Sequence, residues 1–303
     1  MILLKCPKCR KAVNLDEGLK CQSCNYQISV YEDKIYSFFE ELDSPDLQLS
    51  HQKWDALYQA GNIETLNKII DEYKNTYFND TYYQVNQEKP IEGSIYLEIG
   101  CGEFVFGNLI ASKCKLIIGV DFSLSALHTA KLLLEKRNIK NYLLIHADIN
   151  KLPVFDSQID IIYGGGVIEH FENTDNILSE LYRVLKKGGI SFNTVPALNL
   201  GSLTYRQVWG NIPSMPILKP IYKFIHIKLL GGKHMIFGFE MSFTRGKLIR
   251  LHKRVGFKKI KVGHFKVTLL FSFLPGFLKN IAIWISENIS WFSPMHKVIG
   301  IKD

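Results

Sequence analysis

Between residues 94 and 196 the chain repeats one pattern: a short, mostly apolar run, a turn, then apolar positions spaced three and four apart. Mostly apolar runs of four to six residues suit strands, and the three-four spacing suits helices with one buried face. The runs predict strands at 94–99, 116–121, 142–145, 159–163 and 190–195. Helices are predicted from Val105, Phe106, Leu109 and Ile110, from Ala126, Leu127, Ala130, Leu133 and Leu134, and over residues 176–185. Ser123 is placed to cap the second helix, and Gly188 with Gly189 to end the third. Regular alternation of strand and helix is the pattern of a parallel sheet with helices on both faces, so the expected fold class is α/β and doubly wound.

Outside this stretch the pattern changes. Residues 49–83 have helical character, with Trp54, Leu57 and Tyr58, then Leu66, Ile69, Ile70 and Tyr73 on one stripe, which reads as core packing or as a lid over a ligand. Residues 40–48 read as a linker, because Pro45 within Asp43-Ser-Pro-Asp46 breaks any helix before it. Residues 199–241 mix Tyr205, Arg206, Trp209, Tyr222, His226, Lys233 and His234 with apolar residues and read as an insertion over the strand ends. A helix at 245–255 and a strand at 258–262 then resume the sheet. Residues 265–301 are apolar, with Phe277, Leu278, Ile281, Ile285, Ile289 and Phe292 at helical spacing and Trp284 and Trp291 beside them. This tail either closes the core or, with the basic stretch before it, rests on an anionic membrane surface. The expected divisions are 1–39, 40–93, 94–198, 199–244 and 245–303.

Charge sharpens this picture. The formal net charge is +8, yet residues 206–266 carry 14 Lys and Arg against one acid, Glu240, so the rest of the chain is net acidic. Such asymmetry points to an anionic partner: nucleic acid, an acidic membrane surface or a phosphorylated substrate. The 47% hydrophobic and 22% charged composition is ordinary for a soluble protein. The first ten residues hold only Ile2–Leu4 as an apolar run, too short for a secretory signal, and a cytoplasmic location is expected. The longest uncharged apolar run, 267–278, has 12 residues and contains Pro275 and Gly276, well short of the roughly 20 that span a bilayer.

Four of the six cysteines lie in two pairs, Cys6-Pro-Lys-Cys9 and Cys21-Gln-Ser-Cys24, with 11 residues between them. Two residues between thiolates let one tight turn present both sulfurs to one ion, and two such turns complete a closed tetrahedral zinc shell, so the site is expected to be structural. Disulfides are the alternative, disfavoured where no export signal precedes the cysteines. Together with the strand at 26–30 and the apolar exit at 35–39, residues 6–38 resemble a Trm112-like zinc ribbon. Such ribbons occur in methyltransferase activators and at the N-terminus of several methyltransferases.

The first strand ends in Glu98-Ile-Gly-Cys-Gly102, a glycine turn that opens a helix and lets a nucleotide-like ligand approach the backbone. A dinucleotide fingerprint needs a third small residue where Val105 stands, which disfavours NAD and FAD. Asp121 ends the second strand 19 residues after Gly102, where such sheets place an acid on ribose hydroxyls. Asp148-Ile149 follow the third strand, and Gly164-Gly-Gly-Val-Ile-Glu-His170 the fourth.

In this order the motifs resemble class I S-adenosylmethionine (SAM)-dependent methyltransferases of the ubiquinone and menaquinone biosynthesis group. The resemblance implies a Rossmann-like, seven-stranded methyltransferase sheet, here with a small N-terminal zinc ribbon. It also implies that Glu98, Gly100 and Gly102 contact the methionine part of SAM, Asp121 the ribose, and Phe122, Asp148 and Ile149 the adenine. Phe104 departs from the family motif, where a third glycine stands. Gly164 would keep backbone near the methyl group, or simply make a tight turn. His170 is the candidate base for an oxygen acceptor, or a structural histidine. The expected activity is methyl transfer to a small-molecule or lipid-linked anionic acceptor. The alternatives are tRNA or rRNA base methylation, which the basic stretch and ribbon favour, and a non-catalytic SAM-binding partner.

Overall fold

The computed structural model describes residues 3–13, 15, 18–32, 34–39, 54–56, 58, 70–71, 73–203, 210–233, 235, 238–266, 271 and 274–303. Leu57, Leu66, Ile69, Tyr205, Arg206, Trp209, His234 and the expected linker at 40–48 lie outside the described residues.

Five parallel strands form the centre of one sheet: β5 (Ile95–Ile99), β6 (Leu116–Asp121), β7 (Tyr142–His146), β8 (Ile159–Gly165) and β9 (Leu185–Pro196), with spatial order β9-β8-β5-β6-β7, numbering strands along the chain. Successive residues of a strand serve opposite faces. Leu97, Ile99, Ile118 and Val120 pack in one apolar cluster and Tyr96, Ile117, Leu144 and Ile161 in the other. Both faces are covered, which is why the strands read as largely apolar runs rather than as strict alternation. The chain leaves β5 toward β6 on one side and returns to β8 on the other. Strand order therefore reverses at β5, and ligands of such sheets bind outside the carboxyl ends at that reversal.

The helices match their apolar stripes. Leu124–Lys136 is capped by Ser123, whose side chain accepts from the Ala126 N–H at 3.2 Å, and buries Ala126, Leu127, Ala130, Leu133 and Leu134. The third helix, Thr174–Val184, stops before the two glycines expected to end it. Gly188 and Gly189 lie in β9 and pair instead with the end of the chain: Gly188 N–H donates to the Lys302 carbonyl and Lys302 N–H to that of Gly189.

The sheet gains four more strands. β12 (Lys259–Phe265) and β13 (Met295–Ile301) are antiparallel, β13 lying between β9 and β12. These complete the expected seven. On the opposite edge β4 (Ile35–Ser37) pairs in parallel with β7, and β3 (Ser29–Tyr31) pairs with β4, so the N-terminal segment extends the sheet to nine strands. It thereby covers an otherwise open edge. The same segment forms a small ladder of β1 (Leu4–Lys5) and β2 (Ala12–Val13). Leu4 bridges Val154, and Lys5 N–H donates to the Pro153 carbonyl at 2.9 Å.

The insertion after β9 carries a parallel pair, β10 (Ile212–Pro213) and β11 (Met241–Ser242), and is tied to the body by a bridge from Ala197 to Phe243. Its helix Leu218–Lys223 runs on through residue 229 and leaves Ile217, Phe224 and Leu229 facing outward at 79%, 56% and 66% exposure. The apolar tail divides in two. Helix Gly276–Asn288 buries only Ser286 and exposes Phe277, Ile281 and Trp284, whereas β13 behind it enters the core. Among the described residues no helix is long and apolar enough to cross a membrane.

Candidate functional site

At the reversal point a cleft of about 820 Å³, counting its open mouth, is lined by Trp54, Tyr58, Gly100, Asp121, Phe122, Asp148, Ile149, Gly166 and His170, among others. The fold brings these residues together because each lies at or just after the carboxyl end of β5, β6, β7 or β8, apart from Trp54 and Tyr58. Six residues expected from sequence line the cleft: Gly100, Asp121, Phe122, Asp148, Ile149 and His170. Glu98, Gly102 and Gly164 do not. Gly164 is packed into the sheet, where a Cβ would meet Asn193 Oδ1 at 2.5 Å and Ile99 at 3.0 Å, and the neighbouring Gly165 and Gly166 reach the cleft instead.

The glycine turn requires its glycines. Gly100 and Gly102 have φ of +53° and +50°, and a Cβ on Gly100 would come within 2.8 Å of Val167 Cγ2, against the cleft wall. A Cβ on Gly102 would come within 2.5 Å of the Tyr58 hydroxyl, which closes over the turn. Phe104 also has a left-handed backbone, φ +57°, so the turn keeps the conformation a glycine would adopt there while the ring is fully buried in the core.

Asp121 organises this turn. Its Oδ2 accepts from the Gly102 N–H at 2.9 Å and its Oδ1 from the Ser123 N–H at 2.8 Å. Asp148 accepts from the Asn150 N–H and side-chain amide at 2.9 and 3.0 Å. Glu98 lies beneath the turn, its Oε2 accepting from the Tyr96 hydroxyl at 2.7 Å and the Gly107 N–H at 3.0 Å. Burial pushes its carboxyl up to about 8, despite both hydrogen bonds favouring the charged form.

His170 lies in the turn after β8, with Nδ1 2.8 Å from the Phe239 carbonyl and its ring edge-on to Trp54 at 6.0 Å. Burial holds the imidazole down at about 4. Nδ1 therefore carries the proton, donated to Phe239, and the insertion is anchored to the cleft wall. Trp54 and Tyr58, on the stripe read from the sequence as core packing or a lid, also line the cleft. Their helical spacing was the available signal, and it cannot tell a core face from a ligand face.

The four paired cysteines form a second site. All are free thiols, with Cys6 Sγ 3.5 Å from Cys24 Sγ, Cys9 Sγ 3.6 Å from Cys21 Sγ, and all four sulfurs within 4.8 Å of one another. Sulfurs at the corners of a zinc tetrahedron with 2.3 Å bonds stand about 3.8 Å apart, so the donor set and spacing fit zinc. The two turns are alike. Arg10 N–H donates to the Cys6 carbonyl and Asn25 N–H to the Cys21 carbonyl, and Arg10 and Asn25 are both left-handed, at φ 60° and 59°.

Residues 97–192 match the family described as Methyltransferase domain. The chain is 30% identical to a malonyl-(acyl-carrier protein) O-methyltransferase of Hamiltonella defensa, over 46% of this chain and 51% of that protein. It is 27% identical to a demethylmenaquinone methyltransferase of Staphylococcus saprophyticus, over 68% of this chain and 87% of that one. The matches to the first curated relatives span about half of their length or less. Among solved structures, the Haloferax volcanii complex of the Trm112 methyltransferase activator with a methyltransferase aligns with a TM-score of 0.54 at 12% identity, covering 83% of this chain and 96% of the matched chain. A Haemonchus contortus phosphoethanolamine N-methyltransferase 2 bound to SAM aligns with a TM-score of 0.51 at 16% identity, over 74% of this chain and 52% of that one. These two structures share the fold.

Proposed function

We propose that the chain, whose residues 97–192 match the family described as Methyltransferase domain, is a SAM-dependent methyltransferase acting on a small-molecule or lipid-linked anionic acceptor. The observation that carries this reading is the convergence of Gly100, Asp121, Asp148 and Ile149 on one cleft at the strand-order reversal. The residues fit the ligand. Asp121 and Asp148 present carboxylates from adjacent strands to hydroxyl and amino donors, Phe122 and Ile149 offer apolar surface to a flat base, and the glycine turn leaves room that a Cβ on Gly100 would occupy.

Bound SAM supplies a methyl group activated by its sulfonium. The protein's share is positioning and exclusion of water. Trp54 and Tyr58 cover the cleft from the N-terminal side, and the exposed backbone of Gly165 and Gly166 lines it where the acceptor approaches. In this reading Cys6, Cys9, Cys21 and Cys24 hold a structural zinc ion that keeps the ribbon on the sheet edge.

The outer surface favours an acceptor at an anionic membrane. Ile217, Phe224 and Leu229 face outward among the lysines of the insertion, and Phe277, Trp284 and Trp291 are 69%, 60% and 66% exposed. Apolar and tryptophan side chains beside excess positive charge suit the interface of acidic lipids.

The test is to incubate purified protein with methyl-labelled SAM, cellular RNA and a lipid-plus-metabolite extract. Label is expected in the extract. Label in RNA alone would overturn the acceptor assignment, and SAM binding with label in neither fraction would overturn the assignment as an enzyme. In parallel, the protein should sediment with vesicles containing acidic lipid and not with neutral ones.

A further inference from the structure

At the cleft wall stands a group of chemically capable side chains, of which only His170 lines the cleft. Glu169 and His170 come from the turn after β8, Glu240 from the residue before β11, and one ligand-capable atom of each lies within 4.8 Å of the other two. Glu169 is only 1% exposed, and its Oε2 has no hydrogen-bond partner among the described residues. An oxygen so buried loses its water and gains nothing in exchange, a cost that folded proteins rarely leave unmet.

His170 is prepared in the manner of a metal ligand. Its Nδ1 donates to the Phe239 carbonyl at 2.8 Å, and the Gly166 backbone is a second hydrogen-bonding neighbour, so the ring is held in one orientation. Imidazoles bound to metal commonly give their other N–H to such an acceptor. The two segments are also held in register independently of any ion, since the Ala197 to Phe243 bridge and the Ile212 N–H to Glu240 carbonyl bond fix the chain around Glu240.

We propose that Glu169, His170 and Glu240 bind a divalent cation through two carboxylate oxygens and one imidazole nitrogen. This donor set suits a harder first-row ion such as Mn²⁺, in contrast to the four thiolates of the ribbon, which suit zinc. Three protein ligands leave coordination positions open, as in catalytic rather than structural centres. Because His170 also lines the cleft, the ion would stand at its wall. Resting on the methyl-transfer reading above, its place is to hold an acceptor oxygen and lower that oxygen's affinity for its proton.

The test uses the full chain with its ribbon loaded with zinc, titrated with Mn²⁺ and followed by electron paramagnetic resonance and by thermal unfolding. We expect one Mn²⁺ per chain and a rise in melting temperature, with affinity at least about tenfold weaker in Glu169→Gln and in Glu240→Gln. Zinc content should be the same in all three proteins. Glu240→Gln keeps an acceptor for the Asn211 side chain and removes the buried charge, so it carries the test if Glu169→Gln fails to fold. Absence of Mn²⁺ uptake, or equal uptake by wild type and Glu240→Gln, overturns the proposal. SAM affinity measured on the same samples reports on the methyl-transfer reading separately: Mn²⁺ bound without SAM binding would sustain this site and remove that reading.

Discussion

The ring of Phe104 occupies the space in which a Cβ on Gly107 would sit, its Cε2 only 2.1 Å from that position. A helix interior normally gains about 1 kcal/mol when glycine becomes alanine. Here the added carbon would strike a buried ring, and overpacking of this kind costs about 1–3 kcal/mol. Gly107→Ala should therefore lower the midpoint of urea unfolding without changing its slope. A raised midpoint would show that the ring is free to move aside.

Phe104 itself stands at φ +57°, where a side chain costs on the order of 1–2 kcal/mol. Its fully buried ring gains more, since removing such a ring typically costs about 3–5 kcal/mol. Phe104→Gly should relieve the backbone and still destabilise the protein by roughly 2–3 kcal/mol. In that background Gly107→Ala should become harmless or stabilising. A double-mutant cycle with additive energies would contradict the coupling.

Most of the central sheet was legible because strands covered on both faces are largely apolar, and β6 fell within the predicted 116–121 run. β13 was not. Met295-His-Lys-Val-Ile-Gly-Ile301 mixes polar and apolar residues directly after an apolar helix, and only its pairing with both β9 and β12 makes it a strand. Gly100, Asp121, Phe122, Asp148, Ile149 and His170, read from the sequence at the ends of β5 to β8, do line one cleft, whereas Glu98, Gly102 and Gly164 are taken up by the turn and the sheet. Tyr58 over Gly102, and the approach of Glu240 to Glu169, join residues far apart in the chain and have no local signature.

Glu98 links stability to pH. Its folded-state pKa, about 8, lies above the ordinary carboxyl value of 4.5, so the folded protein holds this proton more tightly than the unfolded chain. The contribution is complete below about 4.5 and is lost as pH rises toward 8, a fall on the order of 3–5 kcal/mol from this group alone. Glu98→Gln keeps an acceptor for the Tyr96 hydroxyl and the Gly107 N–H without the buried charge. The variant should be the more stable protein at pH 8 and lose part of the pH dependence between 5 and 8. Denaturation curves of equal pH dependence in both proteins would contradict this.

Asp121 carries both the turn and the ligand contact we propose. Asp121→Ala removes the acceptor for the Gly102 and Ser123 N–H groups as well as any bond to SAM. Hydrogen bonds to a charged group are worth about 1.5–3 kcal/mol, so SAM affinity should fall about tenfold or more. Calorimetry on folded variant protein checks this, and unchanged affinity would remove Asp121 from the site.

The ribbon reaches the cleft through His146. β4 lies along β7 with Ser37 opposite His146, and Ser37 Oγ is 3.0 Å from His146 Nδ1. Phe39 stacks on the same imidazole with ring centres 4.5 Å apart, and Nε2 lies 3.1 Å from the carbonyl of Phe122, which lines the cleft. If zinc holds the ribbon's turns, Cys9→Ser should release this edge and loosen Phe122 without touching the glycine turn. The loss of one net hydrogen bond, about 0.5–1.5 kcal/mol, corresponds to SAM binding weaker by roughly two- to tenfold. His146→Ala should reproduce that loss with zinc content intact, which separates the relay from general damage to the ribbon. Elemental analysis and calorimetry on the two variants decide it: full SAM affinity in folded, zinc-free Cys9→Ser protein would show that the ribbon and the cleft are independent.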